Sequence, residues 1–150
     1  MALSTFGAIM GFAAEMMGKA GETYEALSEK ARNPTFKASL KELAGEAAKH
    51  HSLMEKTRRE NVTEMILEPI TGLHEDDYGL DLKGLNQTGD TDLLKIALLL
   101  EGRSERFFQD ASSKVPLPEV ARIFRKVGQK KGENLTRLQS LGLNQTLNRV

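Results

Sequence analysis

Residues 45–56 read GEAAKHHSLMEK. Glu46 and His50 stand four apart, so on a helix they share a face, where a carboxylate and an imidazole can hold a metal ion or a proton. His51 is turned by about 100° from His50 and is expected to be exposed or near a connecting segment. A second group, His74-Glu75-Asp76-Asp77-Tyr78, sets three carboxylates beside an imidazole. It lacks the spaced Asp-x-Asp-x-Asp-Gly order of a calcium loop and reads as a solvated acidic turn. The chain has no cysteine, which excludes disulfides, thiolate zinc sites, iron–sulfur ligation and cysteine nucleophiles. It also has no Gly-rich phosphate loop, serine nucleophile elbow or zinc helix motif. Lys+Arg and Asp+Glu balance at 21 each, so no overall field draws nucleic acid or anionic lipid, and neither is expected as a partner.

The elements that position these groups are helices. At 150 residues the chain has the length of one domain, and four stretches step through apolar residues by three or four, with no convincing strand alternation. The first helix is expected from about Thr5 to Ala31, capped by Ser4, and ends at Asn33-Pro34. The second opens on Pro34 with Asn33 as its cap, reaches about Glu60 and buries Phe36, Leu40, Leu43, Ala47, His50 and Met54. The third runs from Asp90–Asp92 to about Lys114, and the fourth follows Val115-Pro116-Leu117-Pro118 to about Leu141. Residues 142–150 form a loosely held tail. Each pair of helices joined by a corner makes an antiparallel hairpin, and the segment at about 61–90, with a short helical turn near Thr63 to Leu67, is long enough to run the length of a bundle. The apolar N-terminus contains Glu15 and Lys19, which argues for a buried helix rather than a membrane span and makes the cytoplasm the default address. Met10, Met16, Met17, Met54 and Met65 read as flexible core filler, and Gly7, Gly11 and Gly18 as small residues permitting close helix approach.

Shifting the chain by 84 positions lays one hairpin on the other. Ser28 falls on Ser112, Lys30 on Lys114, Pro34 on Pro118, Tyr24 on Phe108, Leu40 on Phe124 and Met54 on Leu138. Two prolines opening equivalent helices and a shared apolar stripe indicate an internal hairpin repeat.

EGRSERFF (Glu101 to Phe108) and FKASLKELAGEAAKHHSLMEK (Phe36 to Lys56) resemble rubrerythrin and the wider ferritin-like di-iron carboxylate family. The resemblance implies an all-α, ferritin-like four-helix bundle of two antiparallel hairpins joined by a long crossover, spanning residues 1–141. It further implies a glutamate and a Glu-x-x-His pair from each half, holding two metal ions. Carried over, Glu101 and His50 stand at ligand positions, whereas the remaining places hold Met17, Ala47, Lys131 and Asn134.

Two ligands do not satisfy two hard multivalent cations. The resemblance therefore implies a degenerate site in which Lys131 supplies counter-charge to Glu101, with His50 and Asn134 adding hydrogen bonds. No cofactor is expected on this reading, and the protein is a binding or structural module. Its small-molecule or protein ligand is unspecified, and the apolar first helix offers a homodimer surface. The alternative is an oxidoreductase handling peroxide or oxygen at a reduced or mononuclear iron or manganese site, built on His50 and Glu101 with Glu46 as helper. Glu15 and Glu22 are weaker helpers: Glu15 lies about 200° around the helix from the ligand place, and Glu46 itself reads as solvated.

Overall fold

The computed structural model describes residues 2–61, 70–80, 82 and 89–143. It is all-helical, a four-helix bundle of two hairpins. The helices are α1 (Phe6–Lys30), α2 (Pro34–Glu60), α3 (Asp90–Lys114) and α4 (Pro118–Leu143), with a short 3-10 turn at Glu75–Tyr78. The turn expected near Thr63 to Leu67, Met65 and most of the tail lie outside the described residues. Among the described residues no helix is long and apolar enough to cross a membrane.

The ends follow capping chemistry. Thr5, not Ser4, caps α1, its Oγ1 accepting from Ala8 N at 3.0 Å. Ser4 is engaged elsewhere: its carbonyl accepts from Ile70 N at 2.9 Å, and Leu3 N donates to Leu73 O at 2.9 Å, so the connection is pinned beside the start of α1. Asn33 Oδ1 accepts from Phe36 N at 3.0 Å with Pro34 in the first helical turn. The missing proline N–H is no loss there, because the first-turn amides have no helical partner.

The repeat is visible in the bonding. Ser28 Oγ donates to Glu25 O and Ser112 Oγ to Gln109 O, both at 2.7 Å. Ala31 N donates to Leu27 O at 3.0 Å and Val115 N to Ala111 O at 2.9 Å, while Lys37 N to Asn33 O and Ala121 N to Leu117 O are both 2.9 Å. Each of these pairs is 84 positions apart, so both corners turn the same way.

The hairpins are joined at the corner of the first. The buried Asp90 carboxylate at the start of α3 accepts from Arg32 N at 2.9 Å and Asn33 N at 2.8 Å. Thus α3 begins where α2 begins and runs in the same direction, packed against α1 and α4. The connection must traverse the bundle from the far end of α2, a helix of 27 residues and so roughly 40 Å long. At that far end Phe107 meets Phe12 and Tyr78 edge-on at 5.1 and 5.2 Å, and Tyr78 Oη donates to Asp110 Oδ2 at 2.5 Å.

Packing is dense within each hairpin and sparse between α2 and α4. Almost every apolar residue of α1 is buried inside the single chain, and the one exposed large hydrophobic side chain among the described residues is Leu99. Gly45 is exposed in α2 and a Cβ there would touch nothing within 4 Å. Gly45→Ala is expected to raise stability by about 0.5–1 kcal/mol in urea denaturation, through helix propensity alone.

Candidate functional site

Every helix contributes to one buried polar cluster between the hairpins. Tyr24 comes from α1, Glu46 from α2, Glu101 from α3, and Lys131 and Asn134 from α4. Tyr24, Glu101, Lys131 and Asn134 are at most 2% exposed. Tyr24 Oη donates to Glu101 Oε1 at 2.6 Å. Asn134 Nδ2 donates one hydrogen to Glu101 Oε2 at 3.0 Å and the other to Glu46 Oε1 at 2.7 Å. Lys131 Nζ lies 3.8 Å from Glu101 Oε1 and 3.5 Å from Glu46 Oε1. Lys130 Nζ approaches Glu46 Oε2 at 3.9 Å from the groove side. Two carboxylates thus face two ammonium groups, and Lys130 also stands 3.9 Å from the exposed Glu133 Oε2.

Protons are held still here. Burial, then the charge and hydrogen bond of Glu101, push the Tyr24 phenol well above its ordinary value, so it remains a donor. His50 has no hydrogen bond at Nδ1. Burial first, and then the Lys131 charge, hold His50 down to about 4, with Glu46 pulling the other way and Lys130 adding to the depression. The folded protein therefore keeps His50 neutral where the unfolded chain, titrating near 6.5, takes up a proton. Stability is expected to fall as pH drops from about 6.5 toward 4. His50→Gln cannot titrate and should lose about 1 kcal/mol less than wild type between pH 7 and pH 5, a figure discounted for the solvent that reaches the ring. Parallel urea unfolding curves at the two pH values measure this, and equal losses in both proteins would refute it.

Met17 and Ala47, at two of the carried-over places, are fully buried core. Glu46, whose spacing suggested a solvated carboxylate, instead turns into the cluster, 19% exposed at its side chain. His51 is half-buried rather than fully exposed: its Nδ1 donates to Ala14 O of α1 at 2.7 Å. The ring lies over Gly18, where a Cβ would meet Nδ1 at 3.3 Å, which explains the small residue at that point of α1. Glu15 pairs with Lys19 at the surface and Glu22 is exposed, so neither reaches the cluster. Asp76 and Asp77 are exposed on the connection.

Tyr24 and the inward turn of Glu46 escape sequence reasoning, although each leaves a signal. Tyr24 is a hydroxyl-bearing ring where the repeat has Phe108, and a buried tyrosine needs an acceptor. Glu46 falls on Lys130 under the 84-residue shift, an opposite-charge pair at equivalent positions.

These residues do not fit a pair of metal ions. Lys131 Nζ stands within 3.8 Å of both carboxylates, where a cation would have to sit, and like charges at that spacing repel strongly in a buried setting. Among the described residues no three His, Asp or Glu side chains are grouped so that they could hold a metal ion. Glu46 and Glu101 converge on Asn134 and Lys131 rather than on His50. No family model, curated protein or solved structure matches this chain.

Proposed function

We propose that this chain is a rubrerythrin-like, ferritin-fold bundle in which an ammonium group does the charge-neutralising work of metal ions, and that it acts as a binding module rather than an oxidoreductase. The observation that carries the reading is the position of Lys131 Nζ, buried with Glu101 and 3.8 Å from its carboxylate. A buried carboxylate needs a counter-charge and hydrogen bonds to stay ionised, and Lys131, Tyr24 and Asn134 provide both without a metal. With Tyr24 locked as a donor and both Glu101 oxygens engaged, neither of these two groups is free to exchange a proton with a substrate.

Elemental analysis of freshly purified protein tests this. Iron and manganese are expected well below one ion per chain, and added ferrous iron should leave the melting temperature unchanged. Stoichiometric metal that disappears in Glu101→Gln or His50→Ala would overturn the proposal.

A further inference from the structure

Sparse packing between α2 and α4 leaves a groove directly above the cluster. It encloses about 410 Å³, within the range of small-molecule sites. Leu43, Leu138 and Leu141 form its apolar walls, and Glu46 and Asn134 its polar floor. The Glu42–Arg137 pair closes one side, with Arg137 Nη2 donating to Glu42 Oε2 at 2.9 Å, and Lys130 stands near Glu46 at another. Along α2 the lining runs from Ser39 to Glu46, about 10 Å of helix, and along α4 from Lys130 to Leu141, about 16 Å.

The floor presents an acceptor, Glu46 Oε2, above the buried Asn134 amide. Asn134 spends both Nδ2 hydrogens on carboxylates, which fixes the amide orientation and leaves Oδ1 buried with no hydrogen bond. Glu46 Oε1 is engaged by Asn134 and Lys131, whereas Oε2 has Lys130 Nζ at 3.9 Å, too long for a hydrogen bond. Charges around the groove already balance, since Glu42 is set against Arg137 and Glu46 against the lysines. An ionised ligand would leave an unmatched charge beside a buried neutral cluster, which is costly.

We infer that this groove binds an uncharged amphipathic small molecule whose apolar body packs on Leu43, Leu138 and Leu141 and whose N–H or O–H group donates to the Glu46–Asn134 floor. The inference rests on the binding-module reading and specifies its ligand class. The unspent Glu46 oxygen selects a donor, the balanced rim selects neutrality, and the groove volume limits size.

N-phenyl-1-naphthylamine has these features: two apolar ring systems, one N–H and no charge. Its fluorescence on titration with the full chain should rise and saturate at one molecule per chain. Glu46→Gln should weaken binding about tenfold, as expected for loss of a hydrogen bond to a charged acceptor. Because that change also touches the cluster, a second variant, Ser39→Trp, fills the groove from its edge; it should abolish the signal while the melting temperature is retained. The sulfonated analogue 8-anilino-1-naphthalenesulfonate should bind more weakly than the neutral probe. Failure to saturate, binding unaffected by Ser39→Trp, or equal affinity for the sulfonate would each overturn the inference. Metal content of the same sample separates the two readings: absent probe binding in metal-free protein sinks this inference alone, and stoichiometric metal sinks the binding-module reading whatever the probe does.

Discussion

Lys131→Met is expected to lower the unfolding free energy at pH 7 by about 3–5 kcal/mol, the loss typical when one partner of a buried ion pair is removed. Methionine keeps the length of the aliphatic stem and deletes the charge, so little of the effect comes from packing. What remains is Glu101, 1% exposed, with two neutral donors and without the ammonium that stood 3.8 Å from its carboxylate. An ion pair near 4 Å in a partly polarisable interior is worth about 4 kcal/mol, enough to account for the whole deficit. The double variant Lys131→Met/Glu101→Gln should recover most of it, because an amide in place of the carboxylate can still receive from Tyr24. Urea denaturation of wild type, both single variants and the double closes the cycle. A deficit below about 1 kcal/mol in Lys131→Met would show that the ammonium is not what keeps Glu101 in the core.

Asp90→Ala has the next largest expected effect, a loss of about 2–3 kcal/mol. One carboxylate, 5% exposed, receives two backbone N–H groups from the corner between α1 and α2. Alanine leaves both amides without that acceptor and unties the start of α3 from the first hairpin. Asp90→Asn retains one oxygen and should lose roughly half as much. Thermal melts report the change as a fall of about 4–12 °C for a chain of this size. An unchanged melting temperature in Asp90→Ala would mean that core packing alone seats the second hairpin.

The helices are legible because their signals are local. Asn33-Pro34 and the prolines around Leu117 leave the chain little freedom at the corners, and the apolar stripe of α2 buries Phe36, Leu40, Leu43, Ala47 and Met54 as its spacing predicts. His50, on the same stripe, is only half-buried and unbonded at Nδ1. The cap of α1 falls on Thr5 rather than Ser4, whose carbonyl is recruited by Ile70, far along the chain. Within the cluster, Glu101, Lys131 and Asn134 can be named from the repeat and the family resemblance. Glu46 is harder, because i,i+4 spacing to His50 says which face it shares and not whether that face meets solvent. Its orientation depends on the gap between α2 and α4, a property of hairpin docking.

The pairing of the hairpins also has a consequence for how the halves choose each other. The first hairpin brings Glu46 and the second brings Glu101, Lys130 and Lys131, so opposite charges cancel only in the mixed arrangement. Two copies of the first hairpin joined face to face would trap carboxylates with no cation, and two copies of the second would trap surplus ammonium groups. Mismatched unions are thus penalised by electrostatics, most strongly through the buried Lys131 and Glu101.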